Sequence, residues 1–307
     1  MDPIEAINFK KDSTLAMMLE AQSRSHQIFY MTTNSLFIES GKAYASSSRI
    51  TVRDDQFDWF SLEEEAIIAL SDLDAILMRQ DPPFNSDYIY NTYILEMAAR
   101  DGAHVFNNPR SLRDCNEKVY ATEFPQCCTK HLVTGRKDLL TDFVVQYKDT
   151  VVKPLDLMGG ASIFRLKSND PNLNVILETI TNHFSQKVMI QEYIPEISEG
   201  DKRILIVNGR PMKAAIARIP AEGELRGNLA AGASAVAKSL SERDMWICQE
   251  VGPYLVEKGL TLVGLDIIGD YLTEINVTSP TCFKEYKELC DIDVAQIFID
   301  SVEDLTK

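Results

Sequence analysis

Residues 264–276 read GLDIIGDYLTEIN and carry the clearest structural signal in this chain of 307 residues. A Gly-Asp pair lies between two apolar runs, a pattern that predicts a β-hairpin. The hairpin sets Asp266 across from Glu274, to within one residue of register. Because side chains alternate along a strand, Glu274 and Asn276 then share one face.

These three side chains form a candidate metal site. Two carboxylates and an amide oxygen that face one point are the oxygen donors that a hard cation such as Mg²⁺ accepts. The alternative is that Asp266 and Glu274 are solvated residues on the outer face of an edge hairpin. Asp266 interrupts a run that otherwise reads as buried, where an unpaired carboxylate is costly without a cation. This favours a metal bound by Asp266, Glu274 and Asn276.

A second motif is a glycine-bearing loop that follows a predicted strand over residues 151–154. Lys153 lies on that strand, and Gly159 to Ser162 form the loop. Such a loop can aim backbone N–H groups at phosphate oxygens while the lysine supplies a point charge. The spacing of a Walker loop is absent. Taken alone, a Gly-Gly turn between strands is usually an ordinary hairpin.

Four cations complete the candidate site: Lys118, Arg203, Arg218 and Arg226. Each by itself reads as a surface charge. Together with an oxygen-ligated cation and a phosphate loop, they suggest a nucleotide phosphate chain held by metal and basic side chains. The four histidines lie in ordinary surroundings, and no pattern of a nucleophile triad is found.

The composition excludes several classes of protein and partner. Hydrophobic residues make up 45% and charged residues 25% of the chain, which excludes disordered, collagen-like and fibrous classes. Acidic residues outnumber basic ones by 46 to 31, a net charge of −15. This excess opposes binding to phosphate backbones or anionic lipid. We therefore expect neither nucleic acid nor a membrane as a partner.

Location and redox state follow from the same sequence. No apolar run approaches the ~20 residues that span a bilayer, and the first residues, MDPIEAINFKKD, lack the apolar core of a secretory signal. We therefore expect a cytoplasmic protein. Six scattered cysteines, with only Cys127 and Cys128 close together, favour reduced thiols over disulfides or a CxxC metal site.

Helical and strand periodicities are mixed along the chain, which predicts an α/β protein with α+β elements. The length suggests two or three domains. We expect helices over residues 12–24, 85–100, 171–185, 241–257 and 294–305. Besides the hairpin, we expect strands over residues 75–79, 104–106, 151–154, 163–166, 188–193, 203–207 and 212–219.

Five short segments carry a resemblance to a known family. They are Asn116-Glu117-Lys118, VKPLD at 152–156 with GGAS at 159–162, GDKR at 200–203, ARIP at 217–220, and GLD at 264–266 with TEINVTSPT at 273–281. In this combination the chain resembles the bacterial-type glutathione synthetases of the ATP-grasp superfamily. The resemblance covers nearly the whole chain.

The resemblance implies an ATP-grasp fold in three domains. These are an N-terminal pre-ATP-grasp substrate domain over residues 1–117, a lid subdomain over 118–193 and a C-terminal catalytic subdomain over 194–307. Relatives normally open with a strand ahead of the MDPI segment, so we expect that strand to be missing. Family members are often homo-oligomers, which implies the same here.

The implied activity is the ligation of γ-glutamylcysteine to glycine, with ATP as co-substrate and Mg²⁺, or Mn²⁺ in its place, as cofactor. In this family ATP phosphorylates the cysteine carboxylate, and the glycine amine attacks the acyl phosphate to give glutathione, ADP and phosphate. Such a route needs no enzymic nucleophile. Catalysis then consists of positioning and electrostatic stabilisation.

Matching positions give each motif a role. For ATP, the resemblance implies Lys118, Lys153, Gly159, Gly160, Ala161 and Ser162 at the phosphates and Gln191, Glu192, Tyr193 and Ile194 at the adenine. Arg203 and Arg218 are the implied catalytic residues, and Asp266, Glu274 and Asn276 the implied ligands of Mg²⁺. The implied substrate residues are Ser13, Arg226, Asn228, Ser279, Pro280 and Thr281.

The role of one loop and the exact reaction of the chain each have alternatives. Residues 223–234 are rich in Gly and Ala and are expected to close over the reactive intermediate, or else form a passive surface loop. Because the superfamily shares its ATP and Mg²⁺ residues, the chain could instead be another ATP-grasp carboxylate-amine ligase. A non-catalytic ATP-binding regulatory module is a further alternative, although all the phosphate and metal positions are present.

Overall fold

The computed structural model describes residues 1–221, 223–224, 227 and 232–307. Helices and strands both occur along these ranges, which confirms the α/β prediction. None of the described helices is long and apolar enough to cross a membrane.

The N-terminal part of the chain contains two sheets. Its helices are α1 (Ser13–Ser23), α2 (Ser86–Arg100) and α3 (Pro109–Asp114). Its strands are β1 (Ile28–Tyr30), β2 (Leu36–Glu39), β3 (Lys42–Val52), β4 (Phe60–Leu62), β5 (Ala66–Ala69), β6 (Ala75–Leu77) and β7 (His104–Phe106). The first five strands form an antiparallel sheet around β3, and β6 pairs in parallel with β7.

The sequence pattern identifies the helices α1 and α2 but not the sheet around β3. Asp12 caps α1 by accepting from Leu15 N at 2.6 Å, and Asn85 caps α2 by accepting from Tyr88 N at 3.0 Å. Strand β3 reads KAYASSSRITV. Its Ala and Ser residues have weak strand propensity and no clear apolar alternation, so the sheet leaves little signal in the sequence.

The central part is a four-stranded antiparallel sheet with two helices. Its strands are β8 (His131–Thr134), β9 (Asp149–Pro154), β10 (Phe164–Lys167) and β11 (Val188–Glu192), in the order β10-β9-β11-β8, and its helices are α4 (Lys137–Tyr147) and α5 (Leu173–Ile180). The prediction of a helix over 171–185 is wrong at its end. Asn182, His183 and Phe184 adopt φ of 46°, 56° and 62°, which terminates the helix.

The C-terminal part is built on a six-stranded sheet. Its strands are β12 (Asp201–Val207), β13 (Arg210–Pro211), β14 (Ala214–Ile219), β15 (Ser234–Ser239), β16 (Leu262–Ile268) and β17 (Tyr271–Asn276), and its helices are α6 (Glu242–Glu257), α7 (Phe283–Cys290) and α8 (Val294–Leu305). The main strand order is β15-β14-β12-β16-β17, and β13 also pairs with β12.

Strands β16 and β17 form the predicted hairpin. Asp266 pairs with Glu274, and the register shifts directly after Asp266. On neighbouring strands Arg203 lies opposite Asp266, and Asp201 lies opposite Arg218. Because residues two apart on a strand share a face, the pleat brings these charged side chains to one face of the central strands.

Hydrophobic cores fix this sheet against its neighbours. One large core joins the N-terminal and C-terminal parts and includes Leu95, Tyr120 and Val263. The central sheet keeps a separate core around Leu140 and Leu177. The cavity described next lies where these parts meet.

Candidate active site

A cavity of about 790 Å³ is lined by all three parts of the chain. Its wall includes residues from α1 and the loop after β6, from β9, β10 and the loop between them, and from β12, β14, β16 and β17. This volume lies within the roughly 300–1,000 Å³ range of small-molecule sites.

Most of the predicted site residues line this cavity. From the ATP set they are Lys118, Lys153, Gly159, Gly160, Ala161, Gln191, Tyr193 and Ile194; from the substrate set Ser13, Ser279, Pro280 and Thr281; and from the catalytic and metal sets Arg203, Arg218, Asp266, Glu274 and Asn276. Ser162 and Glu192 adjoin this lining without being part of it. Arg226 and Asn228 lie outside the described residues.

Four charged side chains, Arg203, Asp266, Arg218 and Asp201, form a row across β12, β14 and β16, here called the charged row. Arg203 Nη2 donates to Asp266 Oδ2 at 2.9 Å, and Arg218 Nη2 lies 2.8 Å from the same oxygen. Arg218 Nη2 also donates to Asp201 Oδ2. Both arginine side chains and that of Asp266 are at most 8% exposed. Positive and negative charges therefore alternate along a largely buried row that faces the cavity.

Asp266 is neutralised by arginines rather than left unpaired. Burial acts to raise the pKa of Asp266, but the charges of Arg203 and Arg218 outweigh it and hold that pKa well below its usual range. Asp266 is thus buried but not unpaired, so the expectation that its burial calls for a metal cation is wrong. Two guanidinium groups already meet that need.

Glu274 is held by two lysines. Its Oε1 lies 3.3 Å from Lys153 Nζ and 3.8 Å from Lys118 Nζ. Backbone oxygens fix both lysines, since Lys153 donates to Thr273 O at 3.0 Å and Lys118 to Leu157 O at 2.8 Å. Burial acts to raise the pKa of Glu274, but the two lysine charges outweigh it and lower that pKa.

The donor set on the hairpin fits a hard cation. Asn276 Nδ2 donates to Gly264 O at 3.1 Å, which orients the amide and leaves its oxygen as the remaining donor. With the carboxylates of Asp266 and Glu274 it forms an all-oxygen set. Across the described ranges no group of three or more His, Cys, Asp or Glu side chains could hold a metal. A cation here would therefore draw further ligands from water or from phosphate.

The wall formed by the central sheet contains Arg165, a residue that no sequence motif marks. The Arg165 guanidinium stacks over the Tyr193 ring, 3.5 Å from its centroid, and donates two hydrogen bonds to Asp149 at 2.8 and 2.6 Å. Arg165 lines the cavity beside Gln191 and Tyr193. Its position becomes apparent only once β9 and β10 are paired, because nothing in the sequence around it marks a site.

Arg79 is a second missed residue, on the N-terminal wall. It is only 5% exposed, and it donates to Thr14 Oγ1 at 3.2 Å and to Pro280 O at 2.8 Å. Burial lowers the pKa of Arg79, while the charges of Asp12 and Asp81 act to raise it. Among the described residues, neither aspartate forms a direct ion pair with Arg79. A buried guanidinium that faces a cavity in this way is suited to a carboxylate ligand.

Comparison with protein families gives two matches that together cover most of the chain. Residues 1–113 match the model of the N-terminal domain of prokaryotic glutathione synthetase, and residues 117–291 match that of its ATP-grasp domain. The glutathione synthetase of Pseudomonas aeruginosa is 54% identical over 98% of this chain and 95% of its own. That of Vibrio parahaemolyticus is 53% identical over 99% and 96%.

Solved structures of similar fold are more distant in sequence. The D-cycloserine synthetase DcsG has a TM-score of 0.62 at 15% identity, covering 78% of this chain and 86% of its own. The macrocyclase MdnC from Microcystis aeruginosa, bound with the precursor peptide MdnA, has a TM-score of 0.62 at 13% identity, covering 97% of each chain. The ATP-grasp ligase PsnB, complexed with minimal precursor, has a TM-score of 0.61 at 15% identity, covering 95% of this chain and 94% of its own.

Proposed function

The chain belongs to the prokaryotic glutathione synthetase family, and we propose that the cavity where its three parts meet is the active site. The protein is an ATP-dependent ligase that makes glutathione from γ-glutamylcysteine and glycine. The convergence of Lys118, Lys153, Arg203 and Arg218 on this cavity carries the proposal. Phosphoryl transfer depends on such cations to offset the charge of the phosphates.

ATP would extend from the central sheet to the charged row. The adenine would lie beside Gln191, Tyr193 and Ile194, with Glu192 contributing backbone groups and Arg165 stacked on the Tyr193 ring. The phosphates would reach Lys118 and Lys153 under the loop from Gly159 to Ser162. Gly159 and Gly160 have φ of 70° and 76°, which lets the loop turn tightly above the phosphates.

ATP and a divalent cation are what these synthetases use, and we propose Mg²⁺ as that cation. Asp266, Glu274 and Asn276 would hold it through oxygen atoms, which support Mg²⁺ but also accept Mn²⁺. When bound, the cation supplies further neutralisation of the phosphate oxygens. Titration of the metal-free protein with each ion, followed by ADP release, distinguishes the two. A lower half-saturating concentration for Mn²⁺ at equal turnover would contradict the preference for Mg²⁺.

Arg203 and Arg218 would stabilise the phosphoryl and acyl oxygens during transfer. The cysteine carboxylate of γ-glutamylcysteine attacks the terminal phosphorus of ATP, and ADP leaves. Asp266 holds both guanidiniums in fixed positions, so their charges need no reorganisation as the reaction proceeds. The acyl phosphate that results is then attacked by the amine of glycine.

γ-Glutamylcysteine would occupy the end of the cavity that lies against the N-terminal part. Arg79 would bind one of its carboxylates, near Ser279, Pro280 and Thr281. Ser13 is placed to shape this end, because its Oγ accepts from Phe283 N at 3.3 Å and so ties α1 to α7. Arg226 and Asn228 would complete the substrate site.

Release of ADP with different acid and amine pairs tests the function. We expect γ-glutamylcysteine with glycine to give the highest kcat/KM. Turnover with a different pair and none above background with this one would move the chain to another ATP-grasp ligase. Nucleotide binding without turnover for any pair would indicate a regulatory module.

We further propose domain boundaries at 117/118 and 193/194, a homo-oligomeric state and a cytoplasmic location. The family resemblance supports the first two, and the six free cysteines, as expected in a reducing compartment, support the third. Light scattering during size-exclusion chromatography tests the oligomeric state, and a mass near 34.6 kDa, that of one chain, would contradict it.

A further inference from the structure

The amine half of the reaction needs a proton acceptor, and none of the residues proposed to bind ATP, the cation or the dipeptide supplies one. Glycine enters as an ammonium ion, and its nitrogen becomes a nucleophile only after it loses a proton. On the basis of the proposed function, we propose that Asp201 binds the ammonium group of glycine and accepts one of its protons.

Asp201 stands at the end of the charged row, next to the expected position of the acyl group. It begins β12 opposite Arg218, and it lines the cavity. Its Oδ2 accepts from Arg218, whereas its Oδ1 is buried and has no hydrogen-bond partner among the described residues. The side chain as a whole is 16% exposed. A buried carboxylate oxygen without a donor is costly, and a ligand ammonium would satisfy it.

Arg218 carries the complementary unpaired atom. Its Nε is buried and, within the part of the chain that the structure describes, donates to no acceptor. An unpaired acceptor and an unpaired donor therefore lie on two residues in direct contact. An ammonium group at Asp201 Oδ1 and an acyl oxygen at Arg218 Nε would satisfy both atoms. This arrangement places the nitrogen beside the acyl carbon, as attack requires.

Two glycines allow close packing around Asp201. A Cβ at Gly227 would lie 2.8 Å from Asp201 Cβ and 2.9 Å from Arg218 O. At Gly200, where φ is +112°, a Cβ would lie 2.7 Å from Ile219 Cδ1. The contact with Gly227 holds one side of the Asp201 side chain in place, and Gly200 lets the strand begin close to its neighbour.

Neighbouring carboxylates are less suited to the amine. Asp266 is engaged by two arginines and Glu274 by two lysines. Glu285 also has a buried oxygen, Oε2, without a partner in the described residues. It belongs to α7, however, whose N-terminal end contacts Ser13 on the wall proposed for the dipeptide.

The proton and electron changes of the step balance. The ammonium gives one proton to Asp201, and the freed nitrogen pair forms a bond to the acyl carbon. The carbonyl electron pair moves onto the acyl oxygen and returns as the bond from carbon to the phosphate oxygen breaks. Phosphate leaves with that bonding pair and takes the second amine proton. Asp201 passes its proton to water when the product leaves.

The surroundings of Asp201 support this role at neutral pH. Burial raises the pKa of Asp201 to about 7, although the charge of Arg218 acts in the opposite direction. A base whose pKa is close to the working pH is ionised enough to act and basic enough to hold the proton.

Asp201→Asn, assayed with two nucleophiles, tests the proposal. Hydroxylamine is neutral under mildly alkaline conditions and traps acyl phosphates as hydroxamates, so it needs no ammonium site. We expect the variant to form glutathione about 100-fold more slowly, with a raised KM for glycine, and to form hydroxamate at the wild-type rate. Glu199→Gln removes an exposed carboxylate two residues away, outside the cavity lining, and is expected to leave both rates unchanged.

Three results overturn the proposal. The first is that Asp201→Asn forms glutathione at the wild-type rate. The second is that Asp201→Asn unfolds at the wild-type temperature but loses glutathione and hydroxamate formation equally. The third is that Glu285→Gln, rather than Asp201→Asn, loses glutathione formation while it keeps hydroxamate formation. If Asp201→Asn does not fold, Asp201→Ser is judged by the same two rates. A wild-type protein that forms neither glutathione nor hydroxamate contradicts the proposed function itself, and the role of Asp201 falls with it.

Discussion

Replacing Asp266 by asparagine is expected to destabilise the protein as well as to stop the reaction. The change keeps the shape of the side chain but removes the negative charge between Arg203 and Arg218. Their nearest nitrogens lie 2.9 and 2.8 Å from Asp266 Oδ2, and their side chains are 8% and 5% exposed. The side-chain NH₂ group of the new asparagine also faces an N–H donor of one of the two arginines. Arg218 then keeps only Asp201, and Arg203 keeps no ion-pair partner among the described residues.

The size of the effect follows from these contacts. At an effective dielectric constant of about 20, each contact near 3 Å contributes roughly 5–6 kcal/mol of attraction, most of which desolvation offsets. Removing one partner from a buried ion pair costs about 3–5 kcal/mol, because the other charge remains buried. We expect Asp266→Asn to lower the free energy of unfolding by this amount. This is a large share of the roughly 5–15 kcal/mol that stabilises a typical protein.

Urea denaturation of the ligand-free protein, followed by tryptophan fluorescence, measures this loss. Asp270→Asn is the matched control, since Asp270 is an exposed residue in the turn of the same hairpin. We expect it to change the free energy of unfolding by no more than about 0.5 kcal/mol. A loss below about 1 kcal/mol for Asp266→Asn, the level of a surface ion pair, would refute the reasoning.

Three further predictions concern Glu274, Arg79 and Asp201. Glu274→Gln is expected to abolish ADP release and to lower the urea midpoint less than Asp266→Asn does, since this side chain is 19% exposed and both lysines keep backbone partners; full turnover at ordinary Mg²⁺ would contradict the cation assignment. Arg79→Leu removes a charged hydrogen-bond donor worth about 1.5–3 kcal/mol, so the KM for γ-glutamylcysteine is expected to rise about 10- to 100-fold with that for ATP unchanged; an equal rise in both would contradict the assigned position. The pKa of Asp201, about 7 in the folded protein, exceeds its unfolded value of about 3.9. Its protonated form therefore stabilises the fold below about pH 4, and this contribution is lost as the pH rises through 7. Thermal unfolding at several pH values should show wild type losing stability relative to Asp201→Asn between about pH 4 and 7, with no further change above about pH 8, and a constant difference would argue against the raised pKa.

Local patterns proved sufficient for the hairpin and several helices. The turn at residues 269–270 follows from one dipeptide, and the pairing of Asp266 with Glu274 follows from that turn. The cap at Asp12 and the bounds of α8 are equally local. In each case the residues that specify the structure are close in the chain. The family motifs likewise identify most of the cavity lining.

Long-range partners could not be predicted in the same way. Asp266 and Arg203 are 63 residues apart, so their pairing depends on the strand order of the folded sheet. In the sequence, Arg79 is the charged residue at the end of a short, predicted apolar strand. Its burial becomes apparent only when Thr14 and Pro280 are brought to it. The sheet around β3 escapes prediction for a different reason, because the Ala and Ser residues in the middle of β3 give no clear apolar alternation.

The charged row also constrains how this protein can change over evolutionary time. With Asp201 ionised, its two arginines and two aspartates sum to zero charge. A single substitution that adds or removes charge leaves an unbalanced, largely buried ion, whereas a second, opposite change restores neutrality. The four positions are therefore coupled by mutual compensation. Across diverging relatives we expect them to stay fixed together or to be exchanged in pairs of opposite sign.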